Sequence, residues 1–186
     1  SSISINHRRK KSNVYASYSN SFGKNWSFFN FERTQFGYLY DSESTNNNYT
    51  GAHNGKVGAD FYINKKHTIG VLASGNFFDS WGEGQTETFI IPTNTGIPEQ
   101  QLIAANSGTG TNWQAAGNIN YRFADTLGHE LTIDADYAQY DRQASNYQPN
   151  LYLDPSNGDT LFENNYRMVT PTAIQIMSAK IDYAQN

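Results

Sequence analysis

Trp113-Gln114-Ala115-Ala116-Gly117-Asn118-Ile119-Asn120-Tyr121-Arg122-Phe123 carries Trp, Ala, Gly, Ile, Tyr and Phe at its odd positions, and Gln, Ala, Asn, Asn and Arg at its even ones. A period of two marks a β-strand with one apolar and one polar side. Six further stretches show the same pattern. Strands are therefore expected near 2–8, 13–22, 53–63, 68–79, 113–123, 130–142 and 174–185. Ile69, Val71, Ala73, Gly75 and Phe77 share a face in the fourth, and Met177, Ala179, Ile181 and Tyr183 in the seventh. The second is ambiguous, because Val14, Ala16 and Tyr18 compete with Tyr15, Ser17 and Ser19.

The links between these stretches alternate in length. Arg9-Lys10-Lys11-Ser12, Asn64-Lys65-Lys66-His67 and 124–129 read as tight turns. Segments 23–52, 80–112 and the one ending near Ala173 are long and rich in Ser, Asn and Thr, with 86–91 and 100–105 as candidates for extra hairpin strands. Compact soluble domains rarely hold structureless loops beyond ~12–15 residues. Outer-membrane barrels do, pairing short periplasmic turns with long extracellular loops.

Composition permits that reading. The chain has 186 residues, 15% of them aromatic, no Cys and a net charge of -4. The charge gives no basic footprint for nucleic acid. Mean hydropathy is -0.69, and no apolar run approaches the ~20 residues of a membrane-spanning helix. A membrane strand needs only ~10 residues, half of them polar, so low hydropathy excludes helical spans alone. Ser1 and the lack of a signal peptide suggest a processed or excised piece.

Two patterns bear on lipid against core. Lys56, Asp60, Arg122, Asp134 and Asp136 all fall on the polar parity of their strands, where a lumen wall would put them. A half-exposed soluble sheet gives the same segregation. The rings are more telling. Phe61, Tyr121 and Phe123 sit at the turn ends of apolar faces, and Phe77, Trp113 and Tyr137 at the far ends, with small or aliphatic residues between. That is the aromatic girdle of a membrane barrel, whereas a soluble core places its bulk centrally.

Four stretches carry a family resemblance: Ile5-Asn6-His7-Arg8-Arg9-Lys10-Lys11-Ser12-Asn13-Val14-Tyr15, the hairpin from Lys56 to Gly70, Asn118-Ile119-Asn120-Tyr121-Arg122-Phe123 leading to Gly128-His129-Glu130-Leu131, and Ser178-Ala179-Lys180-Ile181-Asp182-Tyr183. In this order they resemble the outer-membrane β-barrel region of TonB-dependent-receptor-like proteins of Bacteroidota. The resemblance implies a barrel of about 22 strands, a plug domain and a TonB energy-coupling complex, with surface lipoproteins as further partners. Neither a plug nor a TonB box is visible. Seven is an odd number, while bacterial single-chain barrels have even ones, so 1–186 is expected to be one segment of a barrel domain, the plug and remaining strands being absent, or to be completed by partner strands.

No motif points to catalysis, a cofactor or a metal. His7, His53, His67 and His129 are scattered, and three of them border expected turns or strand ends, where an exposed surface role is expected. Asp134 and Asp136 could hold a cation, but a solvated wall explains them as well. Asp154-Pro155-Ser156-Asn157-Gly158-Asp159 misses the calcium-loop spacing and reads as a turn. Trp26, Phe28, Phe29 and Phe31, in an expected extracellular loop, either stack on sugars, dock a partner or fold down over the rim.

The sequence thus predicts an all-β, antiparallel up-and-down meander, part of a transmembrane barrel in the bacterial outer membrane and in contact with its lipid. The leading functional expectation is nutrient uptake as part of a TonB-dependent receptor or transporter. A plugless barrel with a structural or assembly role, and a soluble secreted β-protein that binds glycans or surfaces, are the alternatives.

Overall fold

The computed structural model describes residues 1–185. Seven strands follow one another: β1 (Ser2–Arg8), β2 (Ser12–Gln35), β3 (Tyr38–Tyr62), β4 (His67–Pro92), β5 (Gln100–Ala124), β6 (His129–Leu153) and β7 (Thr160–Gln185). Each pairs antiparallel with the next in a single sheet of order β1-β2-β3-β4-β5-β6-β7, so the chain is an up-and-down meander. The sheet is open, with β1 and β7 at its edges.

The seven expected strands fall within these elements, save that β3 stops at Tyr62 and leaves Ile63 of the expected 53–63 in the turn, and six of the seven elements run far beyond the expected bounds. β2 to β7 are 24 to 26 residues long. The long links are therefore paired strand almost throughout. The candidates 86–91 and 100–105 pair with each other, Thr86 opposite Ala104 and Ile90 opposite Gln100, as continuations of β4 and β5 rather than as extra strands. The far turns are short: Phe36-Gly37, 93–99 and 154–159. The reason is backbone satisfaction. A polar segment of thirty residues has as many N–H and C=O groups as an apolar one, and the ladder pairs them without any core.

The register settles the ambiguous second strand. Val14 faces Ala59, Ala16 faces Val57 and Tyr18 faces Gly55, so Val14, Ala16 and Tyr18 join the apolar face. That face then continues without a break through Val57–Ala73–Gly117–Tyr137–Met177 and Ala59–Val71–Ile119–Ala135–Ala179.

No aliphatic or aromatic side chain among the described residues is buried, and the chain exposes 12839 Å². A compact monomer of 20.9 kDa exposes about 9,000 Å². A self-contained soluble β-protein must bury its apolar face, and this sheet does not. That removes the third alternative.

The strand ends step. Ser12 pairs with Phe61, Phe61 with Ile69, Ile69 with Tyr121 and Tyr121 with Ile133. Measured from that row, the turn end of each strand from β1 to β6 lies one residue lower than that of its predecessor. One residue of roughly 3.3 Å per strand spacing of roughly 4.8 Å corresponds to a tilt of about 35°. This is the inclination of strands in a transmembrane barrel.

Candidate functional site: a charge-free band and its polar reverse

The stagger defines height above the turns. Counted from the turn end of its own strand, Phe22 stands ten residues up, His53 nine, Phe77 ten, Trp113 eleven and Tyr137 eight. All five lie on the apolar face. Phe61, His67, Tyr121, Phe123, His129 and Tyr183 occupy the same face within three residues of the turns. Between the two rows stand Val57, Ala59, Val71, Ala73, Gly117, Ile119, Ile133 and Ala135. Nine or ten residue steps at this tilt span about 25 Å, the height of the apolar band on an outer-membrane barrel.

Within that band the apolar face of β2 to β7 carries no Asp, Glu, Lys or Arg. Charge returns abruptly. Lys24, Asp79 and Asp141 are each twelve residues up, on three different strands. Beyond them the same face mixes charge with rings, Glu83 and Glu87 standing on β4 with Trp81.

The histidines, expected as exposed surface residues, sit at the two borders of the apolar face. His67 Nδ1 shares a 2.7 Å hydrogen bond with Tyr121 Oη, and its ring lies 5.0 Å from that of Phe123. His53 Nδ1 shares one of 2.7 Å with Tyr18 Oη and meets the edge of Phe22 at 5.3 Å. The His129 ring stacks on Tyr183 at 6.5 Å. Histidine is amphipathic in the way Tyr and Trp are, with an apolar body and a polar tip. Parity alone could have flagged His7, His53, His67 and His129, since each lies in phase with its strand's apolar set; the heights needed the register.

The reverse face carries Lys56, Asp60, Arg122, Asp134 and Asp136. Asn13, Asp60, Gly70, Asn120, Asp134 and Lys180 form one cross-strand row. Asn120 donates to Asn118 Oδ1 at 2.8 Å, Asn118 donates to Asp136 Oδ1 at 2.7 Å, and Ser178 Oγ donates to Asp136 Oδ2 at 3.1 Å. Arg122 Nε donates to Glu130 Oε1 at 2.7 Å, and Lys180 pairs with Asp182 at 2.6 Å. Lys56 stands between Ser17 and Ser74, without a carboxylate partner among the described residues. Asp134 and Asp136 do not converge on one point: Asp136 is held by amide and hydroxyl donors, while Asp134 lies opposite Lys180. No group of three metal-ligating side chains occurs among the described residues.

The remaining sequence candidates stand far above the band. Trp26 and Phe28 stack at 6.4 Å on one side of the β2–β3 hairpin, Phe29 and Phe31 at 6.1 Å on the other. They stay on the upright hairpin rather than folding over the rim, and Trp26 is 63% exposed. In the 154–159 turn, Asp154 Oδ1 accepts from the Ser156 hydroxyl at 2.6 Å and its backbone N–H at 2.8 Å, which holds the carboxyl below the usual range.

A search of curated proteins finds no match to the chain. Residues 121–186 match the model of a family described as outer membrane protein beta-barrel family. The matched stretch takes in the end of β5 and all of β6 and β7, including Tyr121, Phe123, Tyr137 and, on the polar face, Arg122, Asp134 and Asp136. With the charge-free band, the two rows of rings at its borders and the strand stagger, that similarity makes this chain a segment of a β-barrel of the bacterial outer membrane.

Proposed function

We propose that this sheet is part of the wall of a TonB-dependent receptor or transporter that takes up a nutrient across the outer membrane, without catalysis. The observation that carries the reading is the polar face behind the charge-free band. Closing the barrel turns that face inward, where Lys56, Asp60, Arg122, Asp134 and Asp136 meet water, a solute or a plug. Seven strands do not close here, and lipid does not tolerate open edges. On this reading further strands, of this chain or of a partner, complete the wall and widen it, which leaves room for a plug in the lumen. The resemblance of the hairpins to TonB-dependent-receptor-like proteins supports the same reading. Partners on this view are a plug domain, the TonB complex and surface lipoproteins at the tall hairpins.

The test compares growth on a panel of scarce nutrients. Deleting the gene and abolishing inner-membrane energy coupling should cost growth on the same nutrient, with the barrel still present in the outer membrane. A deletion strain with no nutrient defect but a leaky envelope would overturn transport and favour a structural barrel.

A further inference from the structure

We propose that the inner face of β3 to β6, above the apolar band, carries a binding site for an acidic saccharide. Asn48, Gly82, Gly108 and Asn146 form one cross-strand row on the face that bears Lys56 and Asn118. They stand 14 to 17 residues above the turn ends of their strands, beyond the limit that Asp79 and Asp141 mark. The two glycines leave the sheet bare between walls three strand spacings apart, about 14 Å. The hollow there measures about 440 Å³, and Gly84 and Gly110 extend its floor along β4 and β5. A Cβ on Gly82 would meet Asn48 Oδ1 at 2.5 Å, and one on Gly108 would meet Asn146 Nδ2 at 3.4 Å. Both wall amides therefore lean inward over the floor. Asn146 Nδ2 donates to Asn106 Oδ1 at 2.7 Å, which leaves Asn146 Oδ1 and Asn106 Nδ2 without a protein partner among the described residues.

The chemistry of the trough selects the ligand. A side-chain amide offers donor and acceptor in one plane, as neighbouring hydroxyls of a sugar ring require. A ring can lie on the glycine floor, where any side chain would hold it off the sheet. An extended peptide fits less well. The N–H and C=O groups beneath the floor are spent in the ladder, so no free edge remains for strand addition. Charge fixes the rest. Above the level of Asp79 the inner face of β2 to β7 carries no Asp or Glu, and its charged residues are Arg33 and Arg142. The outer face at these heights carries Glu32, Asp41, Glu43, Glu83 and Glu87. Arg142 lines the hollow, opposite Asn112 and Thr172, with no carboxylate within 4.0 Å among the described residues. Its guanidinium can take a carboxylate in two parallel hydrogen bonds, while the amides hold the hydroxyls of the same ligand. This inference rests on the reading of this face as luminal and names the class of nutrient.

The experiment is isothermal titration calorimetry on the full-length protein in detergent. The acidic probes are trigalacturonate, a mannuronate trimer and sialyllactose; maltotriose and lactose are the uncharged ones. At least one acidic probe is expected to bind, and the uncharged ones roughly tenfold or more weakly. Arg142→Gln should remove that difference. Gly108→Val, which raises the floor, should abolish binding of acidic and uncharged probes alike. Lys24→Gln, on the outer face, should change nothing. Heat-modifiable migration on gels checks that each variant is folded. Failure of every acidic probe to bind overturns the proposal. So does binding that Arg142→Gln leaves intact, or hexaglutamate binding as tightly as the best saccharide. The titration needs no energy coupling. Binding without any growth defect therefore counts against the uptake reading alone, and a growth defect without binding counts against this inference alone.

Discussion

Single residues set the turns. Asn64 Oδ1 accepts from the backbone N–H groups of Lys66 and His67, and Asp125 Oδ1 does the same for Leu127 and His129. These are Asx turns, which tolerate Asn or Asp alike. The backbone N–H of His129, above all, holds the Asp125 carboxyl below its ordinary range. Its contribution is therefore complete above about pH 3.9 and is lost as pH falls through the lower folded value. Asp125→Asn should refold into vesicles like the parent and show no acid loss from this turn, whereas Asp125→Ala should lower the urea midpoint at neutral pH. At the far end, Phe36 has φ 50 and Gly37 φ 82. A two-residue hairpin of type I′ needs both angles positive, and Asn at the first position suits it. Phe36→Asn should therefore stabilise the tip by about 1 kcal/mol, read as slower hydrogen exchange at the neighbouring amides. Loss of protection instead would mean that the Phe36 ring, 88% exposed, holds the tip by a contact of its own.

At the scale of strands, alternation assigns the faces and the ladder propagates them. Ala73 lies between Val57 and Gly117 on the apolar face, and Asn118 between Leu72 and Asp136 on the other. Ala73→Arg should cost roughly 2–4 kcal/mol of folding free energy in vesicles. Asn118→Arg, on the wet side beside Asp136, should cost far less. Equal tolerance in a lipid-refolding assay would contradict the face assignment. The strands of 113–123 and 130–142 were legible in sequence because one face is almost wholly apolar. Their continuations were not. In 100–112 and 143–153 both parities mix polar with apolar residues, so period two loses its contrast, and only cross-strand pairing identifies them as strand. The Asn- and Ser-rich 42–50 segment is the same case: Ser42 Oγ and Thr88 Oγ1 share a 2.8 Å hydrogen bond across β3 and β4, a cross-strand pair invisible from either strand alone.

For the whole molecule, the stagger turns hydrogen-bonded rows into a tilted lattice, and height above the turns becomes the functional coordinate. The chain has three Trp residues, and Trp26, Trp81 and Trp113 lie on the same face at different heights. In single-Trp variants of the vesicle-inserted protein, lipid-borne quenchers should quench Trp113 strongly and Trp26 hardly at all. Strong quenching of Trp26 would overturn the placement of the band. By itself the sequence determined the strand type, the polar and apolar sets and the positions of the rings Phe61, Phe77, Trp113, Tyr121, Phe123 and Tyr137, because side-chain direction in a strand follows from residue parity. Only the tertiary structure decided that the long links are strand, that the four histidines border the apolar face, and that Lys24, Asp79 and Asp141 mark a common upper limit. Those facts depend on register, and register joins residues dozens of positions apart that no local pattern connects.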